Sequence, residues 1–375
     1  MSAWVLAISG FAMLVVLHEA GHFVAAKAVG MRVERFFLFF PPKLFSIKRG
    51  ETEYGIGAIP LGGFVKITGM NPEEEIPEEV ADRAYYRQPV WKRIVVIAAG
   101  PFVNIVLALV IFFIIASGFG LDGENTNEIG RVAGDLPAAE VLQRGDVLVA
   151  VDGTDVANLR GEQLTERVSK LIGNHACAGE PTSGCEGTTP AKLTILRDGD
   201  RVSADVTPIF DVPTDAEREA GIEPAMRIGF GYTGVREDQS VSDSANYSLD
   251  TAWFIATRTA ETFSRILDAE QRKEITGVVG ATEVTRQSFE FDSRQAFFVL
   301  GVISLSLGLI NLLPFLPLDG GHIFWSIVEK VRGRRPSLAT MERASFVGFA
   351  LVLALFAIGL NNDISRITGE GFNVR

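Results

Sequence analysis

A chain of 375 residues that is 47% hydrophobic, with 26 Phe and a mean hydropathy of +0.23, carries more apolar surface than a water-soluble protein readily covers. Its formal net charge of -11 leaves no dominant basic surface and excludes a nucleic-acid binder as the expected class. Two cysteines, Cys177 and Cys185, are too few for a disulfide-built scaffold and lack the CxxC spacing of zinc sites; a local bridge between them requires an oxidising compartment.

The first element is an apolar run from Trp4 to Val29. At ~1.5 Å per helical residue it crosses a hydrocarbon core of ~30 Å. It lacks the basic n-region and small-residue cleavage pattern of a signal peptide, so it reads as a retained span. Inside it stands "HEAGH", with His18 and His22 four residues apart on one helix face and Glu19 beside them. Charged residues cost about 2.5–3.5 kcal/mol each at the centre of a span, so such a group is a functional site by default. Two neutral imidazoles at this spacing can hold Zn2+ while a neighbouring glutamate takes a proton from water, the division of labour in HExxH hydrolases.

Next, "ETEYGIGAIPLGGFVKITGM" alternates small and apolar residues around glycines and a proline, the pattern of a β-hairpin or looped strand pair. Lying between two spans, it is a candidate to dip into the bilayer, which its backbone tolerates only when shielded by protein or lining a cavity. An acidic connector, "NPEEEIPEEV", leads to the second span, Ile94 to Phe119.

Residues 125–209 read as a small α/β module: a strand, a short helix near Pro137, a turn at Arg144-Gly145-Asp146, a strand, a turn at Asp152-Gly153, and two strands joined at Asp198-Gly199. This order resembles a PDZ domain of the bacterial type, a module that binds extended peptide ends by strand addition. The RGD tripeptide reads as a turn rather than an adhesion motif. Cys177 and Cys185 lie in an insertion, "GNHACAGEPTSGCEGTTP", with His175 as a surface residue. From Ser248 to Gln271 apolar residues recur at near-helical spacing, which fits a helix on the membrane surface or one packed on the module.

The third span, Ala296 to Leu316, ends at Pro314 and Pro317, which break the helix and expose carbonyls around a polar cavity. It leads into "LDGGH". A catalytic zinc takes three protein ligands, and this end offers Asp319, the natural partner for two imidazoles, with His322 as its rival. The fourth and shortest span is Ala344 to Leu360. Lys and Arg concentrate between spans one and two and between spans three and four, so both loops are expected in the cytoplasm and both termini outside. The expected domains are 1–119, 120–210, a linker at 211–295 with an amphipathic helix, and 296–375.

Together, "HEAGH", "GIGAIPLGGFVKITGM", "AAGPFVNIVLA" and "NLLPFLPLDGGH" resemble the site-2 protease family of intramembrane zinc metalloproteases. The bacterial subgroup with an external PDZ domain, which includes the regulator-of-sigma-E proteases, is the most similar. The resemblance implies a multi-pass α-helical membrane protein with about four transmembrane helices, a membrane-dipping β-hairpin and one extracytoplasmic PDZ-like α/β domain, located in a bacterial cell membrane. It implies that His18, His22 and Asp319 ligate one Zn2+, that Glu19 is the general base and that Asn311 positions substrate or stabilises the oxyanion. The stretch Tyr54 to Ile67 would offer its edge to substrate, with Gly62, Gly63, Phe64 and Val65 in contact. Gly100, Pro101 and Asn104 match the family's glycine-proline-asparagine pattern, which adds Asn104 to the substrate-binding set, although packing explains the glycine equally well. The implied partners are the lipid bilayer and single-pass proteins such as anti-sigma factors or signal-peptide remnants, cut after their external domain has been trimmed.

Two features depart from the family pattern. There is one PDZ module where the best-known enterobacterial members have two, and Val278 stands where many members have proline. A metal transporter or inactive metal-binding scaffold with a peptide-binding PDZ domain is the alternative class; it predicts that Glu19→Gln leaves function intact.

Overall fold

The computed structural model of the chain describes residues 2–71, 74–134, 136–212, 223–266, 268, 272–273 and 275–368. They fall into two compact units, one formed by the described residues of 2–118 and 240–368, the other by those of 119–239.

Along the chain, α1 (Ala3–Ala28) is the first of four helices long and apolar enough to cross a membrane. Lys92 Nζ donates to the Val29 carbonyl at its C-terminal end. β1 (Val33–Arg49) and β2 (Thr52–Ile67) follow, turning at Gly50, which takes the left-handed φ of +59° that favours glycine. The hairpin therefore starts well before Glu51, where the sequence reading began it. Pro41 and Pro42 disguise the first strand, and the pairing shifts register between Phe40 and Lys43. Phe36 pairs with both Val65 and Tyr54, and Leu38 with both Gly63 and Ile56, so residues 35–38 lie between two portions of β2. Arg83, just beyond α2 (Glu78–Ala81), grips the turn residue Glu51 through two bonds of 2.7 and 2.8 Å. Then comes α3 (Val90–Phe119), the second apolar helix, with Pro101 inside it. It meets α1 closely at Gly21, where a Cβ would lie 2.5 Å from the Ala99 carbonyl oxygen.

The second unit holds β3 (Leu121–Val132), β4 (Val147–Val151), β5 (Thr154–Asp155), α4 (Gly161–Gly173), β6 (Ala191–Arg197), β7 (Asp200–Val206), β8 (Ile209–Asp211), β9 (Ala225–Arg227) and β10 (Phe230–Glu237). Its main sheet runs β10-β3-β4-β6-β7, with β5 on β4. Leu148, Leu164, Val168, Leu193, Ile195 and Ile228 are buried in its core. The RGD tripeptide is a structural turn: Asp146 is buried and accepts from Arg197 at 2.8 and 2.7 Å and from the Gln143 N–H at 2.8 Å. Burial pushes that carboxyl up, but the Arg197 guanidinium and the Gln143 N–H outweigh it and hold the group below its ordinary range. Cys177 and Cys185 are bonded, and His175 bridges Asp152 and Thr189 at 2.8 Å each. Residue 210 is not the boundary of this unit. β10 pairs along β3 from Phe230 opposite Val132 to Glu237 opposite Leu121, so the segment assigned to a linker completes the sheet.

α5 (Val241–Ser264), expected either on the membrane surface or packed on the 125–209 module, lies against α3 and the later helix Ser293–Asn311. Its Ser248 hydroxyl donates to the Leu109 carbonyl at 2.7 Å, and Tyr247, Ala252 and Ile255 pack on Ala108, Phe112 and Leu305. α6 (Val278–Phe291) packs beside α1. Its first turn is capped by Asp363, which accepts from Gly277 N and Gly280 N at 2.9 and 2.8 Å. α7 (Ser293–Asn311) is the third apolar helix and stops five residues short of Leu316, because Pro314 and Pro317 cannot continue it. α8 (Asp319–Arg332) follows the intervening loop. α9 (Leu338–Thr368) is the fourth apolar helix; at 31 residues it is the longest of the four, not the shortest.

Candidate metal centre

His18 and His22 stand one turn apart on α1, with their Nε2 atoms 3.3 Å apart. Asp319, the first residue of α8, places Oδ2 3.3 Å from each. Tetrahedral ligands at about 2.0–2.1 Å from an ion lie about 3.3–3.4 Å from one another, so this triangle has the edge a zinc site requires. Both imidazoles are buried, and His22 Nδ1 donates to the Val96 carbonyl at 2.9 Å, which leaves its Nε2 lone pair facing Asp319. Asp319 Oδ2 is buried without a hydrogen-bond donor. A carboxylate oxygen so placed is costly unless a cation meets it, so the donor set, its spacing and this orphaned atom all fit Zn2+. Among the described residues these three are the group arranged to hold an ion; His322, the rival ligand, is outside it.

Glycines let the helices come this close. A Cβ on Gly100 of α3 would stand 2.3 Å from His22 Nε2, and one on Gly320 would stand 2.2 Å from the Leu312 carbonyl oxygen. The contact at Gly100 and the Val96 acceptor were not foreseen. "GPFVN" drew attention to Gly100, but a backbone carbonyl leaves no mark in a sequence.

Glu19 lies between α1 and β2. A Cβ on Gly63 would stand 2.9 Å from Glu19 Cγ. Gly62 takes a φ of +129°, open to glycine alone, and Phe64 stacks on Phe37 and Phe40 at 5.5 and 5.7 Å between centroids. Residues 63–67 pair with β1 on one side, and among the described residues no strand pairs on the other. Asn311 ends α7 with Nδ2 donating to the Leu307 carbonyl at 3.0 Å. Asn104 is wholly buried toward Gly308, with neither amide atom hydrogen-bonded.

The chain matches the model of Peptidase family M50 over residues 6–355. It is 28% identical over 370 residues to Cj1068 of Campylobacter jejuni, which bears a zinc metalloprotease name, covering 98% of this chain and 94% of that one. It is 33% identical over 381 residues to zinc metalloprotease Rip1 of Mycolicibacterium smegmatis, covering 89% and 87%. A PDZ domain of the SdrC-like protein from Listeria monocytogenes covers 30% of this chain and 88% of its own, at 18% identity and a TM-score of 0.19. With a family match spanning nearly the whole chain and relatives aligned over most of both lengths, the chain belongs to Peptidase family M50, the site-2 protease family.

Proposed function

We propose that the chain is an intramembrane zinc metalloprotease that hydrolyses a peptide bond within or beside the spanning helix of a single-pass protein. The observation that carries this reading is the 3.3 Å triangle of His18, His22 and Asp319 with Glu19 alongside, on a helix apolar enough to span a bilayer. His18, His22 and Asp319 hold the ion. Bound there, Zn2+ supplies the Lewis acidity that makes water a nucleophile at neutral pH. Glu19 takes the proton from the attacking water and delivers it to the leaving amine, with Gly63 packed against its side chain. Asn311 is the oxyanion donor, which requires its Nδ2 to exchange the Leu307 carbonyl for the substrate.

A spanning helix has its backbone groups satisfied and must unwind before a carbonyl is open to water. The free edge at Gly63–Ile67, entered through Gly62, offers replacement hydrogen bonds to such a strand, with Phe64 and Val65 along the contact. Exposed apolar residues on the hairpin, Leu44, Phe45 and Ile47 among them, favour its dipping into the bilayer. The basic loops support a cytoplasmic hairpin side, with the 119–239 unit and both termini outside, where a Cys177–Cys185 bond is stable. The external unit, PDZ-like in its order of elements, screens out substrates whose own external domain has not been removed; anti-sigma factors and signal-peptide remnants are the proposed substrates. The test is cleavage of a single-pass reporter by the purified chain. The proposal expects cleavage that a zinc chelator abolishes, and cleavage that persists in chelator would overturn it.

A further inference from the structure

The third donor is mounted separately from the other two. His18 and His22 are fixed by α1, whereas Asp319 follows the irregular loop after α7 and depends on how α8 is held. One face of α3 meets both parts. Arg93, Val96, Ile97 and Gly100 recur at i, i+3, i+4 and i+7. Val96 orients His22 through its carbonyl and Gly100 packs on the same ring. One turn earlier, Arg93 Nη2 reaches Glu329 Oε1 of α8 at 2.7 Å, with the two side chains only 8% and 17% exposed. Between Glu329 and Asp319, Ile323 packs against the cluster of Val96, Ile97 and Tyr85, Ser326 is buried, and the Tyr85 ring lies 6.0 Å from the Arg93 guanidinium. Asp319, Ile323, Ser326 and Glu329 thus form one stripe of α8 against α3. Asp319 is at the site end and the ion pair at the other, about 15 Å along the helix.

We propose that Arg93 and Glu329 are positioning residues for the metal site: their ion pair sets the rotation and height of α8 on α3 and so holds Asp319 against His18 and His22. This rests on the reading that those three residues bind the ion. Neither residue touches the site, so the effect is read in the geometry of the bound metal.

The test uses the full chain in detergent, loaded with Co2+, whose visible bands report ligand geometry. Native bands that disappear in Asp319→Asn establish the metal reading. Glu329→Asp keeps the charge but shortens the arm by one methylene, and Arg93→Lys keeps the charge but loses the planar fork, so each preserves a paired interior should the other fail to fold. The expected result is Co2+ affinity lower by ~10-fold or more, with shifted bands, in either variant. Affinity and bands identical to native in the folded variants would overturn the inference alone. A native chain without bands would overturn the metal reading and the inference together.

Discussion

Gly100 and His22 are in direct contact: a methyl carbon added to Gly100 would stand 2.3 Å from the ring nitrogen that faces Asp319. No rotamer of the new group avoids this, because Cβ is fixed by the backbone. Gly100→Ala should therefore displace His22, lowering metal content and cutting activity by roughly 100-fold. Gly118→Ala, on the same helix with nothing within 4 Å of the added carbon, should leave both unchanged. Equal metal content in the two variants would contradict the geometry.

Glu19 and Asp319 should separate in their effects. Glu19→Gln removes a proton acceptor but no metal donor, so zinc content should stay near native while turnover falls by about 100- to 10,000-fold. Asp319→Asn removes one of three donors and should lose the metal with the activity. Metal analysis beside a cleavage assay checks both. Retained turnover in Glu19→Gln would favour the scaffold or transporter class.

The legible parts of this molecule were those whose physics is local. "HEAGH" in an apolar run announces a buried polar site because solvation makes it expensive there, and Asp319 followed from the donor set zinc prefers. The turns at Asp152-Gly153 and Asp198-Gly199 are where their sequence places them, since positive φ is written into those pairs. What was missed is non-local. β1 hides behind Pro41-Pro42 because its partner strand, not its own propensity, holds it extended. The return of β10 to β3 and the docking of α5 on α3 join residues about 100 or more positions apart, for which a hydrophobic pattern gives a face but no address.

The hairpin anchor should respond to acid. The Arg83 guanidinium, opposed by burial and aided by Lys27, holds the Glu51 carboxyl at about 2. Its ordinary value is about 4.3. Because the folded value is depressed, the anchor stabilises the hairpin fully above the ordinary value and is lost as pH falls from there through about 2. Amide exchange over Thr52–Ile56, corrected for intrinsic rates, should rise across that window. Glu51→Gln should show the raised exchange already at neutral pH, and a flat response in the native chain would refute the anchor.

The Cys177–Cys185 bond reports the side of the membrane. In intact cells, a membrane-impermeant maleimide should label the chain only after treatment with an impermeant reductant. Labelling without reductant would mean free thiols, and no labelling after reduction would place the 119–239 unit inside.

The most direct measurement is mass spectrometry of the products formed from a single-pass reporter by the reconstituted chain, native and Glu19→Gln. The account predicts a new terminus within or at the edge of the reporter's apolar segment with the native chain, and intact reporter with Glu19→Gln. A cut confined to the reporter's soluble flanks, or the same cut from both chains, would contradict it.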